Sequence, residues 1–372
     1  MIVGIPREVQ TDEHRVSLTP DKVDLLVREG HEVVIESDAG VGATFGDETY
    51  RQVGAKVVET AADVFNSAEM IVKVKEPQPE EYALFRENQI IFTFLHLAAE
   101  PELAQALLSS KVTGISYETV KEPDGNLPLL YPMSEIAGKL APLVASNLLQ
   151  NIYDGPGKLI GGVPGTAPCR FVVVGGGTVG YNAAQMALAL GGHVTVLDIS
   201  LERLRTISGI SDGHINTRIA TPGNVSELIG QADVVIGAVL VPGSRAPSVI
   251  TANMLSNMPE RGIVIDVAID QGGSVEGIHP TTHRDPTYLS NGVTHYAVTN
   301  MPGILGNTSS ISLSNATYPY VLRLANAGLD TTVQKDTPIS EGVITLNGHL
   351  THPVVAEALD LDHIPAQQAI GL

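Results

Sequence analysis

Short apolar runs alternate with stretches of helical spacing along the first third of the chain. Ile2 to Ile5, Glu32 to Glu36, Lys56 to Val58, Met70 to Val74, Ile90 to Phe94 and Val112 to Ser116 have the length and β-branched content of strands. The segments between them carry helix signals. Thr19-Pro20 places an N-cap before a proline at the first helical position, Val23, Leu26 and Val27 form an apolar face, and Gly30 stops the helix. Thr60 with Asp63 reads as a capping box in which Asp stands for Glu. Pro101 opens a helix carrying Leu103, Ala104, Leu107 and Leu108. Strand and helix in alternation predict a mostly parallel sheet covered on both faces.

The pattern changes at Pro123-Asp124-Gly125-Asn126-Leu127-Pro128, a turn-rich connector. Beyond it, Ser134 fits the N-cap of a long helix reaching Tyr153, which Pro142 should bend or break. The strand Phe171 to Val174 then runs into Gly175-Gly176-Gly177-Thr178-Val179-Gly180, a helix to about Leu190, and a second strand ending in Asp198. Gly175, Gly177 and Gly180 form a G-x-G-x-x-G turn, which lets backbone amides and a helix N-terminus meet a pyrophosphate. A carboxylate at Asp198 can accept ribose hydroxyls and repels a 2′-phosphate, which predicts NAD rather than NADP. Leu201 to Ile207 reads as helix, and residues 232–238, 262–267 and 293–298 as further strands. Ser309 to Ala327 reads as a helix interrupted near Pro319 that returns the chain to the first domain. Val343 to Val355 reads as a hairpin turning at Asn347-Gly348, and the end after Ala358 as surface.

The predicted architecture is α/β: two doubly wound, mostly parallel-sheet domains, the C-terminal one a Rossmann dinucleotide-binding fold, with an interdomain cleft. Residues 1–129 and 307–372 form a discontinuous substrate domain, and residues 130–306 the NAD-binding domain.

Composition narrows the chemistry. Lys and Arg number 22 against 41 Asp and Glu, a formal charge of -19 that repels nucleic acid and anionic membranes. The lone Cys169 can form neither an internal disulfide nor a thiolate metal cluster. Met1 to Ile5 reads directly into a strand rather than a signal peptide, no run has the length of a membrane span, and a reducing cytoplasm is the simplest home. His279, His283 and His295 lack metal-ligand spacing, so no bound metal is expected.

Ligands of such sheets sit beyond the carboxyl ends of the strands. Arg15, Lys75 and His96 each follow a predicted strand and should share one rim, with Asp270 at the corresponding edge of the second sheet facing them across the cleft.

Several segments together resemble the NAD-dependent L-alanine dehydrogenases. They are Gly4-Ile5-Pro6-Arg7-Glu8, Glu13-His14-Arg15-Val16, Val72-Lys73-Val74-Lys75-Glu76-Pro77, Phe94-Leu95-His96-Leu97-Ala98 and Met133-Ser134-Glu135-Ile136-Ala137-Gly138. Asp266-Val267-Ala268-Ile269-Asp270-Gln271-Gly272-Gly273, Thr281-Thr282-His283 and the run from His295 to Gly303 complete the set. The resemblance implies reversible oxidative deamination of L-alanine to pyruvate and ammonia. It also implies that Arg15 and Lys75 hold the substrate, that His96 is the acid/base and that Asp270 is the second catalytic group. By the same resemblance Ser134, Thr178, Val179, Asp198, Arg203, Val239, Leu240, Val267, Ala268, Ile269, Asp270, Asn300 and Met301 line the NAD site, and the protein is a cytoplasmic homohexamer. The chain departs from the family pattern at Pro142, Asn147 to Lys158, Ala220-Thr221-Pro222 and Ile304-Leu305-Gly306-Asn307. Two other readings are a nucleotide-binding module like that of a proton-translocating transhydrogenase, and a saccharopine-dehydrogenase-like amino-acid oxidoreductase.

Overall fold

A computed structural model describes residues 1–239 and 246–370. The described chain forms two compact units, residues 1–133 with 303–370 and residues 134–239 with 246–302. The sequence reading drew these boundaries at 129/130 and 306/307, whereas the chain changes unit at 133/134 and 302/303. The turn around Gly125 belongs wholly to the first unit. No helix among the described residues is long and apolar enough to cross a membrane.

The first unit is built on β1 (Ile2–Ile5), β2 (Glu32–Glu36), β3 (Lys56–Val58), β4 (Met70–Val72), β5 (Ile90–Thr93) and β6 (Thr113–Ser116). They lie parallel in the order β6-β5-β4-β1-β2-β3, and the hairpin of Val343–Leu346 and His349–Leu350 adds antiparallel pairing outside β6. Ile71, Ile91, Leu95, Phe65, Leu103 and Leu107 pack one face of this sheet into a core. Because β1, β4 and β5 are parallel neighbours, the loops bearing Arg15, Lys75 and His96 all leave from the same sheet edge.

The second unit contains β7 (Arg170–Val174), β8 (His193–Asp198), β9 (Asn216–Ile219), β10 (Val234–Gly237), β11 (Ile263–Asp266), β12 (Thr287–Ser290) and β13 (Val293–Tyr296). Their order is β12-β13-β11-β10-β7-β8-β9, all parallel except the edge strand β12. Strand succession therefore reverses between β7 and β10, the switch point at which doubly wound sheets bind ligands. Apolar residues of β7, β10 and β11 are fully buried, which accounts for their continuous rather than alternating hydrophobicity.

Several elements differ from the sequence reading. β4 ends at Val72, although Lys73 N–H still donates to the Phe92 carbonyl at 3.1 Å and Phe94 N–H to that of Val74 at 3.3 Å. Ser134 caps nothing; the helix starts three residues earlier and runs Tyr131–Leu148, straight through Pro142. Pro319 likewise lies inside one continuous helix, Gly306–Ala327, held by buried Leu313, Val321 and Leu324. A missing N–H costs one helical bond, which packing on both sides of the proline offsets. Thr19 sits at the N-cap, but its hydroxyl bonds Asp21 and Ser314 rather than the helix backbone. At the C-terminus the hairpin stops at Leu350, a helix follows at Pro353–Leu359, and Ala366 and Ala369 are buried rather than superficial.

Candidate active site

In the first unit, Glu13 holds Arg15. Glu13 Oε1 accepts from Arg15 Nε at 2.7 Å and from its backbone N–H at 2.9 Å, Oε2 accepts from Nη2, and Nη1 contacts Met133 Sδ at 3.1 Å. Arg15 is only 3% exposed, so the orientation of its guanidinium is set before any ligand arrives.

Glu76 joins the other two groups of the rim. Its Oε2 lies 3.4 Å from Lys75 Nζ and 3.2 Å from His96 Nδ1. A second carboxylate, Glu118, accepts the backbone N–H of His96 at 2.7 Å and that of Leu95 at 3.3 Å. These bonds hold His96 in a left-handed conformation with φ 46°, unusual for a non-glycine residue, while its ring stacks on Phe94. Burial alone would lower the imidazole's pKa, but the hydrogen bond to Glu76 and the charge of Glu118 outweigh it and raise the pKa. Burial likewise opposes ionisation of Glu76, yet His96 and Lys75 bring its carboxyl down to about 2. Ionised Glu76 has no proton to give, so His96 must donate from Nδ1, leaving Nε2 as the nitrogen for proton exchange.

Beneath Lys75 lies a second charged cluster. Lys73 is fully buried, 3.3 Å from Glu8 and 2.9 Å from Glu81, while Glu8 accepts the backbone N–H of Val74 at 2.6 Å and of Lys75 at 3.3 Å. Burial pushes the Glu8 carboxyl up to about 7 against the attraction of Lys73. Sequence reasoning named the three cations or proton carriers of this rim and missed the acids that hold them. Their signal was proximity: Glu8, Glu13 and Glu76 all fall in the loops that carry Arg15 and Lys75.

In the second unit, the glycine turn follows β7. Gly175 has φ 101°, and a Cβ there would stand 2.5 Å from the carbonyl oxygen of Ala238, at the end of β10. A Cβ on Gly180 would overlap the carbonyl of Gly175. Gly177 differs, since its Cβ would meet nothing nearer than Arg203 Nη1 at 3.9 Å. It occupies the N-cap of the helix Thr178–Ala189 without a capping side chain, so the amides of the first turn have no intrahelical partner. That cradle fits a diphosphate.

Asp198 is 7% exposed at the end of β8; Oδ2 accepts from Gly176 N–H at 2.7 Å and Oδ1 from Ser200 N–H at 2.8 Å. A carboxylate has about four acceptor positions, so a ribose hydroxyl can still be bound. Arg203 Nη1 lies 3.6 Å away. Ser134, Thr178, Val179, Val239 and Val267 are half-buried, whereas Ala268, Ile269 and Met301 are buried in the unit, Met301 in its core. Leu240 lies outside the described residues.

Asp270 follows β11 in a short turn, Ile269–Gln271. The turn is anchored by the fully buried Asp266, which accepts from the amides of Ala268, Ser274 and Val275 at 3.0, 2.6 and 3.0 Å. The Asp270 carboxylate itself is exposed and accepts the backbone N–H of Asn300 at 3.1 and 3.4 Å. The arrangement thus provides a fixed cation, a paired imidazole and an ammonium in one unit, and a glycine turn at a helix N-terminus with the hydrogen-bonded carboxylates of Asp198 and Asp270 in the other.

Comparison with known proteins gives a consistent result across the whole chain. The family model for the alanine dehydrogenase/PNT N-terminal domain matches residues 4–137, and that for the C-terminal domain matches residues 141–353. The chain is 46% identical over 371 residues to an alanine dehydrogenase of Staphylococcus haemolyticus, covering 100% of this chain and 99% of the relative. It is also 46% identical over 372 residues to an alanine dehydrogenase of Methanococcus maripaludis, covering 100% of both. A solved structure of an L-alanine dehydrogenase superposes with a TM-score of 0.92 at 44% identity, covering 97% of this chain and 99% of the other.

Proposed function

Because the chain belongs to the alanine dehydrogenase/PNT family, we propose that it catalyses the reversible oxidative deamination of L-alanine with NAD. Alanine, NAD and water give pyruvate, ammonium, NADH and a proton. The observation that carries this reading is the Lys75–Glu76–His96 chain, in which one ionised carboxylate orients both a cation and a proton carrier.

In this reading Arg15, oriented by Glu13, receives the substrate carboxylate. Lys75 polarises the oxygen of pyruvate or of its carbinolamine. His96 Nε2 takes a proton as water adds to the imine, and returns one as ammonia leaves. Its raised pKa keeps it protonated to higher pH than an ordinary imidazole, which suits the aminating direction. Asp270 orients the attacking water.

NAD, when bound, supplies the hydride acceptor for the substrate Cα. Gly175, Gly177, Gly180, Thr178 and Val179 would hold its diphosphate, and Asp198 with Arg203 its adenosine ribose. Ser134, Val239, the 267–270 segment and the Asn300-Met301 corner would border the rest, Ala268, Ile269 and Met301 through backbone groups because their side chains are buried. The carboxylate of Asp198 disfavours a 2′-phosphate, which supports NAD over NADP. We further propose a cytoplasmic homohexamer, by family resemblance; sedimentation equilibrium decides the assembly.

The test is a panel of small amino acids and L-lysine-derived substrates assayed with NAD and with NADP. Reduction of NAD with L-alanine as the preferred substrate supports the reading. No turnover of L-alanine, with turnover of lysine-derived substrates, overturns it.

A further inference from the structure

His283 lies in a loop of the second unit that the proposed chemistry leaves unused, yet it completes a bracket around Asn300. Asn300 is left-handed, with φ 58°, a conformation that asparagine tolerates better than most residues but that still needs support. The peptide on its N-terminal side donates to Asp270 at 3.1 and 3.4 Å. The peptide on its C-terminal side offers its carbonyl to His283 Nε2 at 3.3 Å. Both dihedral angles of Asn300 are therefore fixed by bonds to side chains from elsewhere in the unit.

The loop that presents His283 is fastened to the same segment. Thr281 N–H donates to the carbonyl of Ala297 at 2.9 Å, Ala297 N–H to Thr281 Oγ1 at 3.2 Å, and Thr281 Oγ1 to the carbonyl of Pro286 at 3.0 Å. Thr282 and Asp285 close the turn through two further bonds, at 3.3 and 3.1 Å. The imidazole is thus held beside the corner it bonds.

We propose that His283 is a positioning residue for the reaction: its Nε2–H locks the Asn300 peptide in the orientation that presents one amide to Asp270. The proposal rests on the reading in which Asp270 acts at the reacting centre. Without His283 the corner relaxes, the Asn300 amide leaves Asp270, and the carboxylate loses its fixed direction. Glutamine places an amide N–H where the imidazole N–H stands, so it should preserve the lock.

The experiment compares the unsubstituted protein with His283→Ala and His283→Gln by steady-state kinetics and by residue-resolved hydrogen exchange. In His283→Ala, kcat for L-alanine oxidation should fall about tenfold, the value of one lost hydrogen bond, with KM for L-alanine within about twofold of normal because Arg15 and Lys75 lie in the other unit. The Asn300 amide should exchange about tenfold faster, and His283→Gln should recover most of both effects. Unchanged kcat or unchanged Asn300 exchange in His283→Ala overturns the proposal, as does a glutamine variant no better than alanine. If the unsubstituted protein is silent with L-alanine, the functional reading fails alone, and the exchange comparison still decides the lock.

Discussion

Replacing Lys73 by methionine removes one charge from the cluster under Lys75 and keeps the side-chain volume. Lys73 is fully buried, and the side chains of Glu8 and Glu81 are only 4% and 3% exposed, so the two carboxylates would face each other with little solvent to screen them. Breaking a buried ion pair by deleting one partner costs about 3–5 kcal/mol, and a unit of this size loses about 2–4 °C in Tm per kcal/mol, so Lys73→Met should lower Tm by roughly 6–20 °C near neutral pH. The loss depends on pH in a defined direction. Burial has raised Glu8 from 4.5 to about 7, so its contribution to stability is fully present below about 4.5 and is lost as pH rises through about 7. Without the attraction of Lys73, Glu8 is held higher still, and its protonation relieves the repulsion, so the Tm loss should be several-fold smaller at about pH 5 than at about pH 8. A triple variant, Glu8→Gln with Lys73→Met and Glu81→Gln, removes all three charges, keeps a carbonyl acceptor for the Val74 and Gln78 amides at the loss of the longer bond from Lys75 N–H, and should recover most of the stability. Scanning calorimetry at both pH values measures all three. A Tm change below about 2 °C at pH 8, or an equal loss at both pH values, would refute the reasoning.

Glu76→Gln removes the negative charge whose ionic hydrogen bond helps raise His96, so the basic limb of the pyruvate-amination profile should move to lower pH; an unmoved limb contradicts the pairing. In the unsubstituted protein the depressed Glu76 carboxyl contributes stability above its ordinary value of 4.5 that is lost as pH falls to about 2, which acid titration of Glu76→Gln should abolish. Asp198→Ala leaves Gly176 N–H and Ser200 N–H without their acceptor and removes the ribose partner, so NADH should bind at least about tenfold more weakly by fluorescence titration; equal affinity contradicts the ribose assignment. Gly180→Ala drives a methyl group into the Gly175 carbonyl and to 3.1 Å from Val173 Cγ1, so it should lower Tm and NADH affinity together, whereas Gly209→Ala, in a helix with open space around it, should lower neither.

The legible parts of the sequence were those where a residue type leaves little choice. Buried parallel strands such as Phe171 to Val174 need unbroken apolar runs, and the Gly175 to Gly180 turn needs residues without Cβ atoms, so both could be read directly. Arg15, Lys75 and His96 could be placed on one edge because each follows a strand in an alternating pattern. The prolines misled, since Pro142 and Pro319 weaken a helix locally while the packing that holds it comes from distant residues. The short edge strand Asn216–Ile219 was missed because it is largely exposed and carries no apolar run. The supporting acids were missed for a related reason: nothing in the residue Glu118 says that its carboxylate reaches back to the His96 amide, a contact between residues 22 apart.

If this chain oxidises L-alanine with NAD, the hydride leaves the Cα of the amino acid and reaches the cofactor. L-alanine deuterated at Cα, incubated with the protein and NAD, tests it directly, with mass spectrometry of the reduced cofactor and assay of pyruvate as readouts. Each NADH should carry one deuterium, with one pyruvate formed alongside it. NADH without deuterium, or no NADH while the folded protein binds the cofactor, would contradict it.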